Sequence, residues 1–420
     1  MTLRIAALAV ASLLAFGGAG TVRAQPSVAA PVTAKTPELA RLAEELPVIE
    51  LVTMGVGSLI WERHGHIALC VHGDGDRRDR CYNYGIGDFH HPMKMTWGFF
   101  RGTGSFWVGK LGVEDMLSIY EYADRTIWVQ PLPLTQAQKR AVIEKLEFDI
   151  LEPNRYYAYD HFWDNCTTRV RDVIDAASGG QLKAMHEPTD ERTFRDLARE
   201  GFYGMPIPLL VTDIAMGRVT DRPPTYFERM FLPQYLREAV TKLWGVEPRM
   251  LYQRQGPPQD TDSSSGRLWF ALVLLALTSP AWIARLVGRF QRTGLAVAVV
   301  PYVLLGAVLT FLAIISPLPY VRWNETCLVL FPFDLLLLTL PPVRRRRYAR
   351  GRLVMLAVIF VLWLVGVLRQ PLLALLLWPA IPLAVVGLWR DPPGRIGEVG
   401  KPETAAATAN KPRAGRSKRR

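Results

Sequence analysis

Cysteine is scarce in this sequence, and the spacing patterns typical of metal sites are missing. Four cysteines occur in 420 residues, without a CxxC pair or an HExxH motif. Histidine pairs alone are a weak indication of zinc. We therefore expect no metal and no other cofactor, and a zinc site is only a secondary alternative. The histidines available for it are His64, His66, His90, His91 and His161.

Polar residues are too few for an average soluble protein and too many for a pure bundle of membrane helices. Half of the residues are hydrophobic, and no internal repeat divides the chain. This balance predicts one soluble domain joined to a membrane part.

The N-terminal segment is typical of a secretory signal. Arg4 precedes a short apolar run that ends at the small-residue positions Val22 and Ala24. We predict that residues 1–24 are a signal peptide, and an uncleaved anchor is the alternative. No cysteine follows the run, so this protein is not expected to be a lipoprotein itself.

A polar linker, residues 255–267, precedes five apolar stretches. Several of them approach the ~20 residues that a helix needs to cross a bilayer. The last two are short and lie three residues apart, so they form either two tight crossings or one re-entrant pair. Residues 268–389 are thus predicted to be a membrane domain of about five helices. The stretches are 268–284, 295–318, 324–340, 353–368 and 372–389.

Positive charge is concentrated in three segments of the C-terminal part. Residues 285–292, 344–352 and 390–420 hold 18 Lys and Arg against three acidic residues, an excess that is larger than the net charge of +12 of the whole chain. With five crossings these segments all lie on the cytoplasmic side, as the positive-inside rule requires. The domain before residue 267 then faces outward. The basic pI therefore reflects topology and attraction to anionic lipid, and we expect no nucleic-acid partner.

The outer domain, residues 25–254, reads as strands followed by helices, which is an α+β order. Strands are predicted from Val48 and from Arg125, and a β-hairpin with its turn at residues 73–76 lies between them. An amphipathic helix is predicted after the N-cap Thr135, and another begins in the NCTT segment. The last part of the domain looks irregular and helical.

The four cysteines have different contexts. Cys70 and Cys81 lie on opposite arms of the hairpin, so they form either a cross-strand disulfide or two separate buried thiols. Cys327 lies at the edge of a membrane stretch and is most simply a small apolar residue. Cys166 has no obvious partner. A lone thiol outside the cytoplasm is a liability unless its chemistry is used.

The residues around Cys166 predict a reactive thiol. Asp164 or Asn165 can cap a helix that begins near Cys166, and the positive end of the helix dipole would favour the thiolate. A general base would complete the site. His66 opens the alternating part of a strand and is the first candidate. His64 would point to the other face of the strand and is the second.

A third residue follows from the hairpin register. If Cys70 faces Cys81, then His66 and Asn83 are diagonal neighbours on one face of the sheet. The Asn83 amide could then orient the imidazole of the base. A register slip of one residue would turn Asn83 away. The alternative for the whole set is a buried structural cysteine and a surface histidine without a catalytic role.

Four segments, WERHGHIALCV, CYNYGIGDF, FFRGTGSFWVG and YYAYDHFWDNCTTRVRDVID, occur in this order. Together they resemble the Lnb-type lipoprotein N-acyltransferase periplasmic domain family, and YNYG and NCTT are the most specific parts. The likeness covers roughly residues 45–240 and, more loosely, the helices beyond. HG replaces the more usual aromatic-glycine pair before His66, which marks His64 as less essential. The family is similar in plan to permuted papain-like thiol enzymes of the NlpC and lecithin:retinol acyltransferase type, and this implies such a fold for the outer domain.

The resemblance implies an acyltransferase that works through a thioester. Cys166 would attack an acyl ester, and His66 would take the thiol proton. The acceptor would be the α-amino group of a diacylglyceryl-cysteine lipoprotein or lipopeptide, and the donor an acyl lipid. The protein would be a multi-pass protein of the bacterial inner membrane with a periplasmic catalytic domain. Substrate contacts are expected from Tyr84, Tyr157, Trp163, Asn165 and Arg125.

Two other functions remain open. An NlpC-type cysteine peptidase or amidase of the cell wall would use the same nucleophile, but such enzymes usually act without a membrane domain. A non-catalytic envelope scaffold is the other. In the third apolar stretch, Asp334 must be neutral, paired or functional. Asn324 and Glu325 at its outward end could face the outer domain.

Overall fold

The computed structural model describes residues 32–88, 90–188, 190–263 and 265–389. The predicted signal peptide and the whole basic tail, residues 390–420, lie outside these ranges.

A seven-stranded antiparallel sheet forms the centre of the outer domain. Its strands are β1 (Val48–Met54), β2 (His66–His72), β3 (Arg80–Ile86), β4 (Ser105–Gly112), β5 (Ile127–Pro131), β6 (Tyr156–Ala158) and β7 (Arg249–Tyr252). Their order across the sheet is β6-β4-β3-β2-β1-β5-β7. The predicted strands correspond to β1, β2, β3 and β5, whereas β4, β6 and β7 were not predicted. The α+β class of the outer domain is confirmed.

β2 and β3 form the predicted hairpin. Cys70 pairs with Cys81 across the two strands, and a disulfide joins their side chains. The structure thus favours the disulfide over two separate thiols. The same register, continued toward the start of β2, sets His66 opposite Gly85 and diagonal to Asn83.

Helices cover both faces of the sheet. In the outer domain they are α1 (Pro37–Glu44), α2 (Pro92–Phe100), α3 (Val113–Tyr122), α4 (Gln136–Asp149), α5 (Cys166–Ala177), α6 (Phe194–Glu200), α7 (Pro206–Ala215), α8 (Tyr226–Arg229) and α9 (Pro233–Trp244). α4 begins after the N-cap Thr135 and α5 after the N-cap Asn165, as predicted. α2 and α3 occupy a stretch for which the sequence analysis predicted no helix.

Alternation along the strands assigns each face its own helices. Ile49 and Leu51 belong to a core that also contains side chains of α4, α5 and α9. Val52 and Met54 belong to a core on the other face, together with Met116 of α3. The sheet is therefore buried on both sides, and the functional side chains lie at its end.

The C-terminal part is helical. Its helices are α10 (Ser265–Val287), α11 (Gln291–Ile315), α12 (Pro319–Arg322), α13 (Thr326–Val329), α14 (Leu336–Thr339), α15 (Pro342–Leu364) and α16 (Leu373–Gly387). Within the described residues, two helices are long and apolar enough to cross a membrane, α10 from Leu268 onward and α11. They coincide with the first two predicted stretches. The third stretch is not one helix but the short pieces α13 and α14, and a 3₁₀ turn that begins at Pro332 lies between them.

Asp334 is paired, which decides between the three possibilities for this buried carboxyl group. The guanidinium of Arg352 donates to both of its oxygens, at 2.8 and 3.0 Å. The hydroxyl of Tyr348 donates to Oδ1 at 2.8 Å. These contacts tie the broken third stretch to α15.

The outer domain packs on the helical part through apolar and polar contacts. The rings of Phe162 and Tyr320 lie 5.1 Å apart, edge to face. Asn324 Nδ2 donates to the carbonyl of Ile214 in α7 at 2.9 Å, and Gln370 Nε2 donates to the carbonyl of Met216 at 2.8 Å. Asn324 thus contacts the outer domain, as the sequence suggested. The contacts fix α7, which forms part of the candidate site.

Candidate active site

A cavity of about 410 Å³ lies where one end of the sheet meets the helical part. Cys166 and His66, the first residues of α5 and β2, both line it. The remaining wall is mainly apolar and aromatic. It includes Phe99, Phe100, Phe106, Val211, Phe231 and Tyr320. The volume and lining are typical of a pocket for a small molecule or an acyl chain.

Asn165 holds Cys166 in place at the start of α5. Its Oδ1 accepts the backbone N–H groups of Thr167 and Thr168, at 2.8 and 2.9 Å. Its Nδ2 donates to the carbonyls of His161 and Phe231, at 2.7 and 2.9 Å. The amide is buried and fully used, so it sets the position of the thiol although it also lines the cavity.

Gly85 lets the end of β3 approach the cysteine closely. Its φ angle is +87°, a conformation that side chains disfavour. A Cβ added there would lie 3.2 Å from Cys166 Cβ and 3.6 Å from the hydroxyl of Tyr157. Gly85 lines the same cavity as His66 and Cys166, so the end of β3 lies where the strand histidine and the helix cysteine meet the cavity.

His66 lies between two side chains that fix its ring. The ring stacks on Tyr120 of α3 with centroids 5.9 Å apart. The Asn83 side chain raises the pKa of His66 by a hydrogen bond. Asn83 Oδ1 is buried and makes no well-aligned hydrogen bond among the described residues, whereas its Nδ2 contacts Met116 Sδ at 3.5 Å. The Asn83–His66 interaction is therefore a weak one in this state.

Burial keeps both candidate catalytic groups neutral. It lowers the pKa of His66 to about 3, with help from the positive charge of Arg125 and against the Asn83 hydrogen bond. Burial also raises the pKa of Cys166, and the hydroxyl and N–H of Thr167 and the charge of Arg125 only partly oppose this. The resting forms are thus a neutral thiol and a neutral imidazole that line the same cavity. This corrects the expectation of a thiolate, because desolvation outweighs the helix terminus.

Arg125 lies behind the site and outside the cavity lining. Its Nε donates to the carbonyl of Gly55 at 2.8 Å, and its guanidinium lies 5.0 Å from the ring centre of Tyr120. Glu62 is 3.9 Å away. The side chain is buried, so its observed role is an electrostatic one on His66 and Cys166.

The other expected substrate contacts divide into two groups. Asn165 lines the cavity, and Tyr157 lies next to it, with the Arg169 guanidinium 4.0 Å from its ring centre. Tyr84 and Trp163 instead line a separate depression of about 520 Å³ on the far side of α5. The Tyr84 hydroxyl donates to Asp149 at 2.7 Å, which makes it a core residue.

Two further histidines line the same cavity. His64 and His161 meet edge to face with centroids 4.9 Å apart. One ring nitrogen of His64 lies 2.8 Å from the carbonyl of Ala198, and burial lowers the pKa of His64. Burial lowers the pKa of His161 to about 3. His64 therefore has a structural partner that His66 lacks.

Sequence reasoning missed several residues of the site. Tyr120, Gly85 and His161 all contact or line it. Tyr120 and Gly85 were assigned no role there, and His161 was named only as a possible zinc ligand. Gly85 carried a usable signal, because it follows Tyr84 in the segment YNYG. Tyr120 carried none, since α3 was not predicted.

One comparison with known proteins found a match, and this match lies within the outer domain. Residues 41–200 match a family model described as the Lnb N-terminal periplasmic domain. No curated protein and no solved structure matches the chain. Among the described residues, no group of three or more His, Cys, Asp and Glu side chains could hold a metal ion.

Proposed function

We propose that this chain, whose residues 41–200 belong to the Lnb N-terminal periplasmic domain family, is a membrane-anchored lipoprotein N-acyltransferase. It moves a fatty acyl group through a Cys166 thioester to the N-terminal amine of a diacylglyceryl-cysteine lipoprotein. One observation carries the proposal: a cysteine at a helix start and a histidine at a strand start line the same apolar cavity.

In the first half-reaction Cys166 Sγ attacks the carbonyl of an acyl ester. His66 accepts the thiol proton as the C–S bond forms, and it returns this proton to the alcohol oxygen as the ester C–O bond breaks. The lyso-lipid alcohol leaves, and the acyl group stays on sulfur. The thiol and the imidazole are neutral at rest, so the proton moves with the attack and not before it.

The backbone of α5 supplies a donor for the oxyanion. Thr167 and Thr168 N–H groups already bond Asn165. The N–H of Cys166 at the first helical position has no intrahelical acceptor, and it is the remaining donor beside the reacting carbonyl.

In the second half-reaction the α-amine of the acceptor attacks the thioester. The C–N bond forms, the C–S bond breaks, and one amine proton passes through His66 to the Cys166 sulfur. The enzyme returns to its neutral pair. A mainly apolar cavity suits this order, because each buried CH₂ of the acyl chain contributes about 0.8 kcal/mol and water that would hydrolyse the thioester is excluded.

Membrane tethering suits two lipid substrates. Two apolar helices follow the outer domain, and α2 contacts one of them where Trp97 stacks on Phe311 with centroids 6.2 Å apart. We propose that the outer domain is periplasmic, that the helical part crosses the inner membrane several times, and that the basic tail is cytoplasmic. The acyl chains then enter the cavity from the outer leaflet.

The test is an acyl-transfer assay with the full chain in detergent. A diacylated lipopeptide is mixed with a phospholipid that carries isotope-labelled acyl chains, and mass spectrometry follows the N-terminal amine. We expect N-acylation that is abolished in Cys166→Ala and His66→Ala and retained in Cys327→Ser, which removes the other free thiol.

Two results would overturn the proposal. One is cleavage of cell-wall muropeptides without any N-acylation, which would favour a peptidase of the NlpC type. The other is full activity in both Cys166→Ser and His66→Ala.

A further inference from the structure

A second cavity of about 460 Å³ adjoins the Cys166 cavity. The two share His64, Gly65 and Pro233 as a common wall. The second cavity is lined by the end of β1, the start of β5 and the segment after β7. Its lining is polar where that of the first is apolar.

The formally charged side chains that line this second cavity are both arginines. Arg237 and Arg254 line it together with the amides of Gln234, Gln253 and Gln259, and no Asp or Glu of the described residues belongs to the lining, although Asp124 lies behind Arg254 and Gly256. α9 begins at this wall with no side-chain cap. Its dipole adds partial positive charge. The chemistry therefore fits an anion and does not fit the α-amino group of the acceptor.

Arg237 is the side chain that is available to a ligand. Its guanidinium lies 4.0 Å from the ring centre of Trp128. Within the described ranges it makes no hydrogen bond and no ion pair. Arg254, in contrast, donates to the carbonyl of Val56 at 3.2 Å and lies 4.0 Å from Asp124. Arg237 thus offers a planar, oriented set of donors of the kind that binds phosphate.

The position of the cavity fits a lipid headgroup. Gly256, Pro258 and Gln259 of its lining belong to the linker that leads into α10, the first candidate membrane span. A ligand there would lie beside the linker to α10, and His64, Gly65 and Pro233 would separate it from the cavity that Cys166 lines. An acyl chain in the apolar cavity and a phosphate in the polar one would place the ester between them.

We propose that this second cavity binds the phosphate of a phospholipid acyl donor, with Arg237 as its main contact. The inference rests on the proposed function for the identity of the ligand. It implies that the donor is a phospholipid and not the glyceryl group of the lipoprotein itself.

The experiment measures the single-turnover acylation of Cys166 in the full chain, in phosphate-free maltoside detergent, by intact-protein mass spectrometry. Dioleoyl phosphatidylglycerol and dioleoylglycerol are compared as donors. We expect Arg237→Gln to lower the ratio of the two rates by about tenfold to a hundredfold, because a charged hydrogen-bond donor to phosphate is lost. Arg249→Gln, an exposed arginine on β7, is the matched control and should leave the ratio unchanged.

Added inorganic phosphate and glycerol 3-phosphate separate the possible sources of the anion. Glycerol 3-phosphate should slow acylation of the unchanged protein by phosphatidylglycerol, and it should do so less in Arg237→Gln. Inhibition by inorganic phosphate alone would show an unspecific anion site and overturn the headgroup assignment. If Arg237→Gln does not fold, judged by its thermal midpoint, Arg237→Lys and Arg254→Gln serve in its place.

Other outcomes separate this inference from the proposed function. If Arg237→Gln raises the KM for the lipopeptide and not for the donor, the cavity takes the acceptor polypeptide and the inference is wrong. If labelled acyl never leaves the phospholipid but N-acylation still occurs, the function stands and the inference fails. If no donor acylates Cys166 at all, the function fails. Binding is then read from the thermal shift of the full chain with dihexanoyl phosphatidylglycerol against dihexanoylglycerol, and an equal shift with both would reject the site.

Discussion

At the scale of single residues, the site depends on desolvation more than on the helix dipole. Cys166 stands at the start of α5, where a thiolate would be favoured, yet burial raises its pKa. His66 is neutral down to about pH 3, so it is ready to accept a proton at any physiological pH. Both groups are therefore neutral near pH 7.

The alkylation of Cys166 should therefore lack a plateau near neutral pH. In a Cys327→Ser background, where Cys166 is the remaining free thiol among the described residues, its rate of reaction with iodoacetamide should rise steadily from pH 6 to beyond pH 9. The reason is that only the thiolate reacts and its pKa is raised. The rate is measured by mass spectrometry at each pH.

Arg125→Gln is the comparison for this profile. Removal of the positive charge that lowers the pKa of Cys166 should shift the rise toward higher pH. A rate that levels off near pH 7 in the unchanged protein would contradict the neutral-pair description.

At the scale of elements, the start of α5 and the helix α7 carry the site. The Asn165 cap binds two N–H groups of α5 and two carbonyls of neighbouring loops. α7 contributes Val211 to the wall of the Cys166 cavity and is held from below by Asn324. A substitution in either element would therefore alter the surroundings of the Cys166 thiol.

Replacement of Asn165 by Ala should cost both stability and activity. The loss of a cap costs about 0.5–2 kcal/mol, and the buried carbonyls left unpaired add about 1–3 kcal/mol. The thermal midpoint should fall, and the acyl-transfer rate per folded molecule should fall at least tenfold because the Cys166 sulfur moves. Both are measured on detergent-solubilised full chain.

Thr135→Ala removes a comparable cap from α4, whose Thr135 Oγ1 accepts the N–H of Gln138 at 3.4 Å. This control should lower the thermal midpoint by a smaller amount and leave the acyl-transfer rate unchanged. Equal effects of the two substitutions on the rate would mean that Asn165 acts only on global stability.

At the scale of the whole molecule, three partly buried histidines should make the outer domain sensitive to acid. His64, His66 and His161 line one cavity, and burial lowers the pKa of each. The folded pKa lies below the unfolded value of about 6.5, so the unfolded chain binds more protons as the pH falls from 6.5 toward 3. Stability is therefore lost in that window, by up to about 1.4 kcal/mol per pH unit for each histidine.

The thermal midpoint of the full chain should accordingly fall between pH 7.5 and pH 5. His161→Gln removes one of the titrating groups and should flatten this dependence. The shift is followed by circular dichroism or intrinsic fluorescence in detergent.

His72→Gln should have the opposite effect on the pH dependence. Hydrogen bonds to Glu50 and Asp79 raise the pKa of His72, so its contribution is present below pH 6.5 and is lost as the pH rises through the folded pKa. Its removal should make the acid loss steeper. If the thermal midpoint is independent of pH in the unchanged protein, in His161→Gln and in His72→Gln, this would argue against neutral histidines in the folded chain.

Features that depend on residues close together in the sequence were predicted, and several that depend on distant segments were not. The caps Thr135 and Asn165, the hairpin and its Cys70–Cys81 register were predictable, because each involves residues at most about a dozen positions apart. Strands β4, β6 and β7 were missed, because distant segments complete them. The broken third apolar stretch was also missed, since its composition is that of a spanning helix and it contains a single proline, Pro332.

The sequence by itself determined where Cys166 and His66 lie in their elements, because caps and alternation are local properties of the chain. Only the tertiary structure decided that both line one apolar cavity, that Arg125 is buried behind them, and that Arg237 stands in a polar cavity next door. Only the tertiary structure also decided the protonation states of Cys166 and His66. These states depend on desolvation, which arises from the packing of elements that are far apart in sequence.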